Sequence, residues 1–290
     1  MKTRILMLAY GLMSLAVTAA ASTPSTPIAK SGRPGSGAHA IKPATSETSQ
    51  PSLARPSKYS AAQIVERNIA ARGGLPAWRA VQTLTFSGQL EAGGKQNTPL
   101  PFVMEMKRPH KSRLEIRFRD QTAFQVYDGS QGWKVRPFLN RDDAEPFTPS
   151  EAKLAAGWAE LDGPLVDYAS KGTQISVEGI EAVEGRDAYK LKLTLKSGVE
   201  RNVWIDAATF LETKIDGDPR KMDGKLRNVA IFYRDYKIEN GLTVPHVLET
   251  VVEGIKQSSH KMTIEKVAVN QPLEDALFAK PQLKVAASGQ

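Results

Sequence analysis

Between residues 84 and 126 apolar and polar residues alternate with a period of two: Leu84 and Phe86; then Phe102, Met104 and Met106; Leu114, Ile116 and Phe118; Phe124 and Val126. Such alternation predicts antiparallel strands with one wetted face. Arg108-Pro109-His110-Lys111 and Asp128-Gly129 stand where tight hairpin connections belong. The period returns over Ile175 to Val183, and most cleanly at Tyr189, Leu191, Leu193 and Leu195, which alternate with Lys190, Lys192, Thr194 and Lys196. Further strands are expected over Arg201 to Asp206, Phe210 to Ile215, Arg227 to Tyr236, Thr243 to Val252 and Ser258 to Val269, making about a dozen.

Helical spacing interrupts this pattern. Ser60 and Gln63 have capping-box spacing, and Ile64, Val65 and Ile69 form an apolar stripe that ends at Gly73 and Gly74. Pro76 suits the first turn of a short piece through Trp78 and Val81. Thr148-Pro149-Ser150-Glu151 supplies a cap, a first-turn proline and a capping-box glutamate for a helix through Leu154 and Trp158. The elements predict an α+β, mainly β fold built on a single highly curved antiparallel sheet. A sheet this wide curls, and a half-open barrel needs its apolar mouth covered. The helices carrying Ile64, Ile69, Leu154 and Trp158 are the available lid, and short helices would leave part of the concave face unfilled as a hydrophobic cavity.

The ends of the chain read differently. Lys2 and Arg4 precede an apolar run from Ile5 to Val17 and the small residues Ala19, Ala20 and Ala21, the pattern of a secretory signal peptide over residues 1–21. That run is too short to span a bilayer, so a periplasmic protein beginning near Ser22 is expected. Of the 36 residues in 22–57, 21 are Ser, Thr, Pro or Gly and none is aromatic, which predicts a flexible arm. The folded domain is expected over 58–283, with a flexible tail over 284–290. The formal charge of +8 then changes meaning, because residues 1–57 hold six Lys or Arg and one acidic residue, leaving +3 for the remainder. A nucleic-acid footprint loses its main support. The arm is a solvated spacer or a reach toward anionic headgroups.

Little in the sequence points to catalysis. The absence of cysteine excludes disulfides, thiolate metal sites, a cysteine nucleophile and a lipidated cysteine. His39 lies in the arm, and His110, His246 and His260 are isolated, without ligand spacing. Ser130 in Gly129-Ser130-Gln131-Gly132 lacks the nucleophile-elbow pattern. Asp142 with Asp143, and Asp162 with Asp167, could bind a cation or form a carboxylate pair, but loop solvation and helix capping account for them. No Gly-rich phosphate loop is present. No enzyme, cofactor or metal is expected, and a lipid hydrolase would have no residue to nominate.

The ordered series Phe102-Val-Met-Glu-Met-Lys-Arg-Pro109, Arg113-Leu-Glu-Ile116, Val126-Tyr-Asp-Gly129, Gly132-Trp133 and Pro137-Phe138 resembles the LolA-like family of periplasmic lipoprotein carriers. Asp162-Gly-Pro-Leu-Val-Asp-Tyr168 and the strand at Tyr189 to Leu195 resemble the wider group of outer membrane lipoprotein-sorting proteins. The resemblance covers about Tyr59 to Pro281. It implies an eleven-stranded curved sheet with a helical lid, binding acyl chains of lipoproteins or other lipids. It also implies an inner-membrane exporter and an outer-membrane acceptor as partners, with transient membrane contact by a monomer. At the Lys-Arg-Pro position it implies that Arg108 hydrogen-bonds to lid backbone as a latch; a solvated turn arginine is the alternative. Phe102, Met104, Met106, Leu114, Ile116, Phe118, Phe124, Val126 and Trp133 are the candidate cavity residues, with ordinary core packing as the other reading. The resemblance extends to envelope-stress sensors built on the same half-barrel. Those regulators carry a further C-terminal domain, whereas this sequence stops soon after Phe278 and Pro281, which favours carriage.

Overall fold

A computed structural model describes residues 55–93, 98–222, 224–255 and 259–282. The expected signal peptide, most of the arm with His39, and the tail lie outside the described residues. The last residues assigned to the arm do not: Arg55 pairs with Ile180 through two backbone hydrogen bonds of 3.1 and 2.7 Å, and its guanidinium meets Asp187. The described structure therefore begins at Arg55, three residues before the expected start of the domain.

Two helices come first, α1 (Ala61–Ala71) and α2 (Leu75–Ala80). The α1 capping box is formed, with the Gln63 backbone N–H donating to Ser60 Oγ at 3.3 Å and the Ser60 N–H donating to Gln63 Oε1 at 3.0 Å. Six strands follow: β1 (Thr83–Glu91), β2 (Leu100–Lys107), β3 (Lys111–Phe118), β4 (Gln121–Tyr127), β5 (Gly132–Arg136) and β6 (Arg141–Pro146). Helix α3 (Pro149–Trp158) then leads to β7 (Gln174–Val183), β8 (Arg186–Thr194), β9 (Glu200–Asp206), β10 (Glu212–Met222), β11 (Lys225–Glu239), β12 (Leu242–Val252) and β13 (His260–Val269).

The thirteen strands among the described residues form one open antiparallel sheet in the order β6-β5-β4-β3-β2-β1-β13-β12-β11-β10-β9-β8-β7. The expected fold class holds, with two more strands than the resemblance implies. The edge strand β6, rich in charge, falls outside every expected strand range. Phe210, expected to begin a strand, instead has a φ of 59° in the turn before β10. The strand starts at Glu212 because Phe210 is turned back to stack on Tyr189, with ring centroids 5.9 Å apart.

The middle of the sheet is the β1–β13 pair, which runs from Leu84↔Val269 to Glu91↔Lys261 with a bulge between Ser87 and Gly88. A side chain at Gly88 would put its Cβ 2.0 Å from the Thr263 carbonyl oxygen, so the close approach requires glycine. One face of the sheet carries two apolar clusters. Trp78 of α2, with Leu161 and Val166, packs on residues of β1, β2, β3, β12 and β13. Ile64 and Val65 of α1, with Leu165, pack on β8 to β11. Ile69 touches both clusters, so α1 bridges the two halves.

Candidate functional site

Between the two clusters the apolar face is not filled. A cavity of about 580 Å³ remains, bounded by β1 to β3 and β8 to β13 on one side and by α3 and the segment after it on the other. This volume lies in the range of ordinary small-molecule sites.

Leu154, Gly157 and Trp158 of helix α3 line this space at helical spacing, and Leu161 of the segment after the helix joins them. Ala155 and Ala159, on a neighbouring stripe, pack with Tyr127 of β4. From the sheet, Met104, Met106 and Leu114 line the cavity on one flank, and Ile215, Ile231 and Leu248 on the other. Flexible thioethers beside branched side chains make a wall that adapts to ligand shape.

Register decides where the remaining candidate residues lie. Leu114 stands opposite Gln125, and Phe102 opposite Ile116, which stands opposite Ala123. Side chains of one parity share a face, so Ala123, Gln125 and Tyr127 accompany Leu114. Phe124, Val126 and Trp133 fall on the other parity, where Phe124 has the Arg113 guanidinium 4.8 Å from its ring centroid and Val126 pairs with Trp133. The structure thus places these three on the opposite face from the cavity. Phe102 and Ile116 are on the cavity side but packed into the solid part of the core, and Phe118 packs edge-on against Phe138 at 5.7 Å. Ile64 and Ile69 fasten α1 to the sheet without lining the cavity; Leu154 and Trp158 do line it.

Two polar anchors hold the cover. Arg108, at the β2–β3 turn before a cis bond to Pro109, donates from Nε to the Val81 carbonyl at 2.7 Å. Its Nη2 donates to the Trp78 carbonyl at 3.1 Å and to Asp162 Oδ2 at 2.9 Å. One planar fork therefore joins the C-terminal end of α2 to the segment after α3, a geometry a lysine cannot reproduce. Asp162 also accepts from Lys171 Nζ at 3.0 Å, and its backbone carbonyl accepts from Arg72 Nη1 at 3.1 Å. Burial would raise the Asp162 carboxyl, but the Arg108 hydrogen bond and the Lys171 ammonium outweigh it and hold the group below the usual carboxylate range.

The second anchor had no signal in the sequence. Lys134 of β5 donates to both carboxylate oxygens of Glu151 at 2.6 and 2.8 Å, and the two side chains are 5% and 4% exposed. Glu151 is also the capping-box residue of α3, accepting the Thr148 N–H at 2.7 Å. One carboxylate thus starts the helix and ties it to the sheet.

The other titratable candidates are engaged separately. Asp167 is held by Arg79 at 2.5 Å rather than paired with Asp162, and Asp142 and Asp143 are exposed on β6. His246 is buried between β12 and β13, with Nδ1 2.9 Å from the Ile264 carbonyl oxygen. His110 is exposed, and Ser130 lies in the β4–β5 turn, where its hydroxyl donates to Asp128.

By sequence, no family model and no curated protein matches the chain. By structure, a LolA superfamily protein from Nitrosomonas europaea matches with a TM-score of 0.52 at 14% identity, over 77% of this chain and 98% of that one. The chain has the LolA-like fold. An outer membrane lipoprotein-sorting protein domain from Vibrio parahaemolyticus, described as putative, matches this chain with a TM-score of 0.50 at 12% identity, covering 75% of this chain and 95% of the other. A DUF1329 family protein from Desulfovibrio piger matches with a TM-score of 0.52 at 14% identity, over 75% and 96%. At these identities the likeness concerns the LolA-like architecture, and no helix among the described residues is long and apolar enough to cross a membrane.

Proposed function

We propose that this protein is a non-enzymatic periplasmic carrier that shelters acyl chains of lipoproteins or other lipids in its cavity and moves them between the inner and outer membranes. The observation that carries this reading is the unfilled apolar space of about 580 Å³ beneath α3. Likeness of fold to a lipoprotein-sorting domain supports it, and the signal-peptide pattern of residues 1–21 supports the compartment. In this reading an inner-membrane exporter loads the cavity and an outer-membrane acceptor empties it.

The energetics favour such a design. Burying a methylene gains about 0.8 kcal/mol, so a chain of about 16 carbons is held in its membrane by on the order of 12 kcal/mol. A cavity that replaces most of that contact lowers the cost of crossing water. It must still bind less tightly than the destination, which suits an adaptable methionine-containing wall better than a rigid one.

The test is native mass spectrometry and lipid extraction on protein purified without detergent, followed by displacement of a fluorescent fatty acid. Acylated species are expected in the extract. Leu248→Trp, which adds bulk to the cavity wall, is expected to weaken fatty-acid binding by at least about tenfold while leaving far-UV circular dichroism unchanged. An empty extract together with no uptake of any amphiphile would exclude carriage.

A further inference from the structure

The cavity wall is unequal in charge. Lys153 of α3, Lys196 of the β8–β9 turn and Arg220 of β10 all line it. None of the three makes an ion pair within 4 Å with a described residue. Two are exposed and Arg220 is half-buried. The carboxylates of the same wall are all engaged. Glu160 lies 3.2 Å from Lys171, and Asp218 receives Arg201 Nη2 on both oxygens at 2.9 and 3.0 Å. Asp216 accepts the backbone N–H and the side-chain amide of Asn202 at 3.0 and 2.8 Å. Arg72 is likewise committed, to Glu212 at 3.3 Å and to the Asp162 carbonyl.

The local backbone helps to set these cations in place. The β10–β11 register shifts between Gly217 and Arg220. A Cβ at Gly217 would fall 2.8 Å from Val229 Cγ1, so glycine lets the strands close up just before the bulge. The Lys196 stem runs over Gly172, where an added Cβ would sit 3.2 Å from Lys196 Cβ. Burial pushes the Arg220 pKa down and is only partly opposed by Asp218, a carboxylate that Arg201 already holds. A partly desolvated cation at the wall of an apolar cavity is unfavourable unless an anion joins it.

We propose that the cavity takes an anionic amphiphile, whose alkyl chain lies against residues such as Met104, Leu114 and Ile231 and whose phosphodiester or carboxylate head sits among Lys153, Lys196 and Arg220. This deepens the carrier reading and rests on it. A neutral head of the same chain length would gain the apolar contacts alone.

The experiment compares three probes that share a palmitoyl chain: lysophosphatidylglycerol, palmitate and monopalmitin, each competed against a fluorescent fatty acid on the wild-type protein and on Lys153→Gln/Lys196→Gln/Arg220→Gln. At low salt the better of the two anionic probes is expected to bind on the order of tenfold more tightly than monopalmitin, three partly screened charge contacts being summed. Which anionic probe wins identifies the source of the charge as phosphodiester or carboxylate. The preference is expected to shrink at about 0.5 M salt and to approach unity in the triple variant. Because the readout is a ratio, general damage to the cavity cancels. Equal binding of charged and uncharged probes, or a preference that survives the triple substitution, would overturn the headgroup assignment and leave carriage intact. Failure of all three probes to bind the wild-type protein would remove carriage itself.

Discussion

Replacing Arg108 is the most direct perturbation of the cover. Its guanidinium makes three hydrogen bonds, to the carbonyls of Val81 and Trp78 and to Asp162. An ordinary hydrogen bond contributes about 0.5–1.5 kcal/mol net, and one between charged groups about 1.5–3 kcal/mol. Arg108 is 31% exposed, which favours the lower values, and Lys171 continues to neutralise Asp162 at 3.0 Å. Arg108→Leu should therefore weaken attachment of the cover by about 2–3 kcal/mol, or roughly 30- to 150-fold in its opening equilibrium. Arg108→Lys keeps the charge near Asp162 but loses the fork to the two carbonyls, and should fall between Leu and wild type. Two readouts apply: hydrogen exchange of the amides of α2, and the dissociation rate of a fluorescent fatty acid. Both should accelerate in the order wild type, Lys, Leu. Unchanged exchange over residues 75–81 in the Leu variant, with an unchanged dissociation rate, would show that Arg108 is a solvated turn residue and that the reasoning fails.

Two further outcomes concern the other anchor and the role of pH. Lys134→Met leaves the Glu151 carboxylate buried without its cation and should cost about 3 kcal/mol in urea unfolding, with part regained in Lys134→Met/Glu151→Gln, since glutamine preserves the capping box; no recovery in the double variant would mean that the loss is one of packing. Asp162 has a folded pKa below its unfolded value, so its contribution is present above the unfolded pKa of about 3.9 and disappears as pH falls through the folded one. Ligand dissociation in the wild type should accordingly stay flat from about pH 8 to 5 and rise only below about pH 4, whereas Asp162→Asn should remove that acid limb; a midpoint near pH 6 would point to another group.

Local signals in the sequence predict local structure well here. The spacings Ser60–Gln63 and Thr148–Glu151 both form reciprocal caps. The alternation of β8 puts Tyr189, Leu191 and Leu193 in the core and leaves Lys190 and Lys192 to meet Glu181 and Glu200. Alternation says which residues share a face but not which face is concave, and this is where the cavity was harder to read. Phe124 and Val126 are the apolar pair of β4, yet the smaller or more polar Ala123, Gln125 and Tyr127 share the face of Leu114. β6 was invisible for another reason: as an edge strand written Arg-Asp-Asp-Ala-Glu-Pro it buries no regular face, and charge and proline are how edges avoid further pairing. Residues of β10 to β13 such as Ile231, Leu248 and Met262 sit in segments read as strands, but nothing local brings them opposite Met104. The Lys134–Glu151 pair joins β5 to a helix across a turn and β6, and ion pairs of that kind carry no pattern.

The meeting of β1 with β13 has a consequence for how the molecule is assembled. The outermost strands, β6 and β7, are neighbours in chain order, while the central seam joins the first strand to the last. Each half is a meander that grows away from that seam, so a nascent polypeptide can complete β1 to β6 while the inner border of β1 still lacks its mate. Its bare amides and carbonyls would invite foreign strands until the final segment arrives. Truncation ahead of His260 would then split the wall down its middle instead of trimming an end.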